Sequence, residues 1–487
     1  MKNGVLISAI VFTIALANQA GAQEVKYVNN KQIKTDFKEI ILDRTQPAEN
    51  YYDNLLIASD NSDSEVSLEN KDEKKPDDKS FIKIFNLKGG VEKTKPETKG
   101  EAAKTMVKSW LHGDYATGKW FGARPLFEDH GVTINSSLLY SPFVKTRGGA
   151  SGDRNGKGYS LYNLGVTVDT EKAGLWKGGT FYALYQKKTG YGISGANGNN
   201  GAMGDWMGLD GWDWRQINQI SEVWFQQKFF DEKLRLKFGK QDANGDFAYL
   251  NSGWDFMNTA FSVNPTIPMP TYPDQAKVGF VAEINPTEWL SIRNGIYSKS
   301  NIPFNITEIE VKPTIKNLPG RYSIGAWEMG DSNGMSVANG INYSSGTVYY
   351  NNFYRNYGGY AQFEQMVYKE KKDDENDMQG LVVFGQFGIS PSNKNDMSRY
   401  AGGGLHYTGP IPTRDNDKAG IAVASGSFAP RLGDITSQVG DETAVEAFYR
   451  LQLTPWFYLQ PDVQFISRPS GYYDSSVAIG LRSVIAF

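Results

Sequence analysis

The chain has 487 residues, a formal net charge of −3 and no cysteine, which excludes a disulfide framework and a thiolate metal site. No cationic surplus points to nucleic acid as a partner. The mean hydropathy of −0.47 is that of a water-soluble chain, but a transmembrane barrel gives the same average, because lipid-facing apolar residues alternate with polar lumen-facing ones.

The N-terminus has the pattern of an export signal. Lys2 precedes the apolar run Val5–Ala17, and Ala20-Gly21-Ala22 supplies small residues for cleavage before Gln23. The run is too short to span a bilayer as a helix, and no apolar stretch of 18 residues follows. Residues 1–22 are therefore expected to be a cleaved signal peptide. Residues 23–109 form a second region, rich in charge from Asn61 to Lys79 and from Lys93 to Lys104. It has too little apolar surface to offset its ordering entropy, so it is expected to be a mostly disordered or loosely helical extension in the periplasm. Its two apolar clusters, Ile40-Ile41-Leu42 and Phe81–Phe85, make a periplasmic or cell-wall partner a candidate.

From Trp110 to Phe487 the pattern has period 2. Tyr162, Leu164, Val166 and Val168 share one face, with Asn163, Gly165, Thr167 and Asp169 on the other. Val445, Ala447, Tyr449, Leu451 and Leu453 oppose Glu446, Phe448, Arg450 and Gln452. Phe457, Leu459, Pro461, Val463 and Phe465 oppose Tyr458, Gln460, Asp462 and Gln464. Short turns at Asp231-Glu232-Lys233, Asn285–Glu288 and Thr454-Pro455 close hairpins, and Trp289 and Trp456 stand just past two of them, as interfacial aromatics do. The alternate connections read as long and polar: Lys187–Gln216, Asp242–Ala276 and much of Asn301–Arg355. Short turns at one end and long loops at the other are the asymmetry of an outer-membrane barrel, and at roughly 20–25 residues per strand and connection the region holds about 16 to 18 antiparallel strands. The fold class is therefore all-β, a transmembrane antiparallel barrel over 110–487. The last strand puts Val477, Ile479, Leu481, Ser483, Ile485 and Phe487 on one face, a pattern that barrel assembly machinery could receive by strand addition.

Four stretches resemble the carbohydrate-selective porin family of the OprB type. They are Trp110-Leu111-His112-Gly113-Asp114 with Gly118–Arg124 and Gly131-Val132-Thr133; Ser221–Gln227 with Leu234–Asp242 and Asp246-Phe247; Tyr272-Pro273 through Gly279; and Glu442–Gln452 with Pro455-Trp456 and Leu459–Phe465. The resemblance implies a 16-stranded barrel in the outer membrane of a Gram-negative bacterium, among its lipid and lipopolysaccharide. It also implies passive uptake of small neutral sugars such as monosaccharides through a narrow charged eyelet, together with ion passage and without catalysis. The polar extension at 23–109 departs from the plain family pattern.

Strand phase supplies lumen candidates: Glu222, Trp224, Arg235, Lys237, Arg293, Arg321, Trp327, Glu446, Arg450 and Arg482. Charge on the lipid face would cost about 2–4 kcal/mol at the midplane, which fixes the inward assignment. Charged groups replace water around sugar hydroxyls, and Trp224 or Trp327 offers a flat surface to the ring. The other reading is that inward Arg–Glu pairs brace a wet lumen. Three further functions stand as alternatives: a general diffusion or sugar-acid and alcohol channel, a barrel enzyme using His406, and a soluble sugar-binding protein. Asp205, Asp210 and Asp213 lack the spacing of a calcium loop and are expected in a solvated loop, so no metal or cofactor is called for.

Overall fold

The computed structural model describes residues 107–487 apart from 195–201, 212–215, 269–275, 299–302, 343–346, 372–376 and 430–439, with the backbone alone for most of 331–353. The expected signal peptide (1–22) and nearly all of the expected extension (23–109) lie outside the described residues.

Strands run β1 (Val132–Lys145), β2 (Asn155–Asp169), β3 (Gly179–Gly190), β4 (Ile217–Phe229), β5 (Leu234–Gln241), β6 (Lys277–Thr287), β7 (Leu290–Tyr297) and β8 (Phe304–Val311). They continue with β9 (Thr314–Ile315), β10 (Leu318–Asn342), β11 (Thr347–Lys369), β12 (Gly380–Ile389), β13 (Met397–Thr408), β14 (Lys418–Phe428), β15 (Glu442–Thr454), β16 (Phe457–Ser467) and β17 (Ser476–Ala486). Each wall strand pairs antiparallel with its neighbours, and β17 returns to β1, from Ser137 opposite Ala486 to Lys145 opposite Ala478. β9 only lengthens the hairpin between β8 and β10. The wall is thus a closed antiparallel barrel of 16 strands.

The sequence phase explains the wall. Val223, Phe238, Ile292, Ile324, Val463, Phe465, Ile479 and Leu481 are exposed on its outside, an apolar belt of the kind a transmembrane barrel turns outward. Their neighbours Lys237, Arg293, Asp462 and Arg482 point inward and are buried. Among the register shifts in the wall, a bulge in β4 buries Ser221 and Glu222 side by side, which resets the phase before Trp224. The tight turn at Lys316-Asn317 has positive φ at both residues, the geometry that suits the right-handed twist of a two-residue hairpin.

Two expectations need correction. Much of Asn301–Arg355 is not a polar connection but β8, β10 and β11, whose long hairpin extends past the other strands. Its Gly, Asn and Ser content hides the strand signal. The other two long connections are not solvated loops. Ile193, Met203, Met207 and Leu209 of the first, and Phe247, Leu250, Phe256, Met257, Phe261 and Ile267 of the second, are almost fully buried inside the barrel. Phe256 centres this packing, with ring centroids 5.1 Å from Phe261, 5.4 Å from Phe384 and 4.8 Å from Phe448. Gly420 opposite must lack a side chain, because a Cβ there would come within 2.6 Å of both Phe256 and Phe448.

Before the barrel, Trp120–Gly122 forms a 3-10 turn and Ala123–Asp129 a short helix at the short-turn end. Trp110 packs on Trp456 with ring centroids 4.7 Å apart, and the Trp456 indole donates to the Trp110 carbonyl at 3.1 Å.

Candidate functional site

Folding a loop into a barrel strips its main chain of water without giving it a sheet partner, so every buried N–H and C=O needs another partner. The wall supplies these partners. Glu446 accepts from the N–H groups of Met257 (2.6 Å) and Asn258 (2.8 Å), and Glu442 from those of Trp206 and Met207 (both 2.7 Å) and Ser470 (2.5 Å). Glu364 accepts from Ser252 N (2.6 Å) and Glu308 from Ala248 N (3.0 Å). Wall amides serve the carbonyls: Gln386 donates to Ala260, Gln460 to Asp255 and Gln464 to Leu209, at 2.5, 2.7 and 2.9 Å.

Charged side chains of the loops are pinned as well. Asp255 contacts Arg450 (2.6 Å), His406 (2.7 Å) and Lys418 (3.1 Å). Burial alone would raise the Asp255 carboxyl, but Arg450 and Lys418, with His406, hold it well below the usual carboxylate range. Asp210 accepts from Ser141 and Tyr159 hydroxyls, both at 2.6 Å, and from Arg482 at 3.0 Å. Asp205 accepts from Ser194. Asp205 and Asp210 are therefore buried anchors and not solvated loop carboxylates, while Asp213 lies outside the described residues. No group of three His, Cys, Asp or Glu side chains among the described residues could hold a metal ion.

The infolded loops leave a cavity of about 580 Å³ along the inner face of β1 to β10, within the roughly 300–1,000 Å³ range of small-molecule sites. One flank is aromatic: Tyr182 stacks on Trp224 with centroids 4.9 Å apart, and Lys237 sits 4.3 Å above the Trp224 ring. The other flank is a chain of charges of alternating sign. Lys237 reaches Asp246 at 3.1 Å, and Arg235 bridges Asp246 (2.6 Å) and Glu283 (2.5 Å). Arg293 joins Glu283 (3.4 Å), Glu308 (3.0 Å) and Glu310 (2.7 Å), and Arg321 joins Glu310 (2.6 Å) and Glu364 (3.5 Å). Lys312 adds a contact to Glu310 at 3.2 Å. Five cations thus face five carboxylates, and the array is neutral. Asp246 comes from the second infolded loop. Burial pushes its carboxyl up, but Arg235 and Lys237 outweigh that and leave it below its ordinary value.

The ten sequence candidates divide accordingly. Trp224, Arg235, Lys237, Arg293 and Arg321 line the cavity together. Glu446, Arg450 and Arg482 hold infolded loops against the wall. Glu222 is fully buried at the β4 bulge, off the cavity lining. Trp327 packs in an apolar cluster, its ring 6.4 Å from that of Phe304. Sequence phase missed Tyr182, Asp246, Glu283 and Glu310. Glu283 and Glu310 stand on strands whose phase would have placed them, whereas Asp246 lies in a loop with no phase to read.

With this geometry in view, comparison with known proteins is specific. The family model described as "Carbohydrate-selective porin, OprB family" matches residues 160–487. The chain is 22% identical over 436 residues to Porin B of Pseudomonas aeruginosa, covering 80% of this chain and 94% of that protein. It is 21% identical over 415 residues to Putative porin QuiX of Acinetobacter baylyi, covering 75% and 89%. In fold it resembles the high-pH structure of Pseudomonas putida OprB, with a TM-score of 0.65, 19% identity and coverage of 77% of this chain and 99% of that one. The low-pH structure of the same protein superimposes with a TM-score of 0.53 and 18% identity, over 77% and 99%.

Proposed function

Because the chain belongs to the OprB family of carbohydrate-selective porins, and is thus an outer-membrane channel rather than an enzyme, we propose that small neutral sugars cross it through the cavity on β1 to β10. The charge array from Lys237 to Arg321 is its eyelet. The observation that carries this reading is the neutral, interlocked array facing an aromatic flank. A sugar offers hydroxyls that both donate and accept, and a weakly apolar ring face. The array presents donors and acceptors in close succession, and Tyr182 with Trp224 presents a flat surface. Passage needs several weak contacts rather than one strong one. A chain of shared ion pairs meets that need, because each sugar hydroxyl replaces one of several partners of the same guanidinium. A fixed anion would meet as much negative as positive charge here, which supports neutral solutes over sugar acids.

Residues 1–22 direct export and are removed, 23–109 stay in the periplasm as a tether or partner-binding segment, and the barrel region begins near Trp110. The alternation of β17 supports its delivery by barrel assembly machinery, and the exposed apolar belt supports contact with lipid and lipopolysaccharide. Swelling of liposomes that hold the purified protein tests the central claim, using glucose, larger oligosaccharides, a sugar acid and an amino acid of similar size. Fast, size-limited swelling with glucose over the charged solutes is expected. Equal rates for all small solutes would reduce the protein to a general diffusion channel.

A further inference from the structure

The segment before β1 reaches the channel. Asp114 and Tyr115 line the same cavity as the eyelet, beside Asn135, Ser136, Pro455 and Ala486 at the short-turn end, which faces the periplasm in outer-membrane barrels. What holds them there is Arg124. Its side chain is almost fully buried, with its guanidinium 3.6 Å from the Tyr115 ring centroid and 4.2 Å from that of Trp120. From between these rings it donates to the main-chain oxygen of Phe487 at 2.8 Å and of Ile134 at 3.4 Å. Those oxygens belong to the two sides of the seam at which the barrel closes, since the Phe487 N–H in turn donates to Ser136 at 2.8 Å. Ala116 N–H adds a bond to the Ala486 carbonyl at 2.9 Å.

We propose that residues 107–131 form an exit collar on the barrel, that Arg124 is the positioning residue clamping it to the closed seam, and that Asp114 and Tyr115 set the size limit at that end. The inference rests on the porin reading but concerns a different end of the path from the eyelet. The two halves of the clamp are far apart in sequence, so the collar locks only once β17 has joined β1. A guanidinium suits the task, because it stacks on rings through its face while donating through its edge; lysine cannot do both.

Single-channel conductance in potassium chloride, with swelling by glucose and by a disaccharide, tests this on barrels shown to be folded by their heat-modifiable mobility. Arg124→Leu is expected to raise conductance and to lose disaccharide exclusion, while the glucose preference over a charged solute persists. Ala116→Pro, which removes the N–H bonded to Ala486, is expected to act in the same direction. If Arg124→Leu fails to assemble, the Asp114→Ala/Tyr115→Ala double variant decides, since it clears the lip and keeps the Arg124 hydrogen bonds to the main-chain oxygens of Phe487 and Ile134. A folded variant with native conductance and native disaccharide exclusion would overturn the collar. Absence of conductance in the unaltered protein would instead overturn the porin reading itself.

Discussion

The two sides of the lumen use the same residue types for opposite ends. Along β12 to β16, inward Glu, Gln and Arg side chains face infolded loops, and their polar atoms are taken up by the loops: Glu446 by the main chain of Met257 and Asn258, Gln464 by that of Leu209, and Arg450 by the Asp255 carboxylate. Along β4 to β10, inward Arg and Glu side chains pair mainly with one another around an open cavity. The first side is a protein interior, with Phe256, Phe384 and Phe448 at its centre. The second keeps a cavity open beside its charges. Inward charge in a barrel therefore does not by itself mark a permeation path. What separates the two cases is how the inward charges divide their contacts. The second loop also reaches the β4 to β10 side, through Ala248 N–H on Glu308 and Asp246 on Arg235 and Lys237, but it leaves most wall cations and carboxylates paired with one another beside the cavity.

The largest effect on this division is expected from Asp255→Ala. It leaves Arg450, Lys418 and His406 facing an empty site in a buried cluster, and removing one partner of a buried pair costs about 3–5 kcal/mol. The variant should unfold at lower denaturant concentration and admit oligosaccharides, as the second loop withdraws from the wall. Urea titration of the heat-modifiable form, with swelling by a trisaccharide, measures both. Native size exclusion in a destabilised variant would show that Asp255 supports the fold without placing the constriction.

A smaller change is expected from Glu446→Gln. The amide keeps the volume and one acceptor but cannot receive both the Met257 and Asn258 N–H groups, which now fall one on each carboxyl oxygen. One buried donor left without its partner costs on the order of 1–3 kcal/mol. Hydrogen exchange at Met257 and Asn258 should quicken while sugar selectivity stays near native. A selectivity change as large as that of an eyelet variant would mean that the two sides of the lumen are not independent.

The wall was legible from sequence because the physics there is local. Leu234, Leu236 and Phe238 alternate with Arg235 and Lys237 within one strand, and a charge on the lipid face is too costly to leave the phase in doubt. The same reasoning found five cavity residues. It could not separate Arg450 from Arg293, since both point inward from strands of the same pattern. The difference lies in Asp255, nearly two hundred residues before Arg450 in the chain. Trp327 shows the same limit: its inward phase follows from Ile324 and Ala326, but its burial depends on Phe304 and on the loop residues Phe247 and Ile267. A signal for the infolded loops was present all the same. Phe247, Leu250, Trp254, Phe256, Met257 and Phe261 crowd a stretch read as a polar connection, and so many large apolar residues need a core.

On the open side, Arg293→Ala sharpens the comparison through charge. It removes the cation shared by Glu283, Glu308 and Glu310, so the array gains a net negative charge. The reversal potential in a salt gradient should move toward cation selectivity, and the ratio of glucose to sugar-acid swelling should rise. The barrel should still assemble, because Arg321 and Arg235 continue to face Glu310 and Glu283. An unchanged reversal potential would remove Arg293 from the permeation path.

The smallest effect expected is one of pH, and its sign follows from Asp246. Arg235 and Lys237 hold this carboxyl below its ordinary value despite its burial. A depressed carboxyl contributes its full stabilisation above the unfolded value, about 3.9, and loses it only as pH falls through the lower folded value. The join between the second loop and the charge array should therefore be intact at pH 5 as at pH 7. Asp246→Asn mimics the protonated form and should show at pH 7 what the unaltered channel shows only in stronger acid: a shift toward anion selectivity and a looser loop. Reversal potentials of both proteins at pH 7 and pH 5 provide the check. A constant difference is expected. A difference that closes by pH 5 would mean that Asp246 is already protonated there, and that the loop is held to the open side by packing of Phe247 and Ile267 rather than by charge.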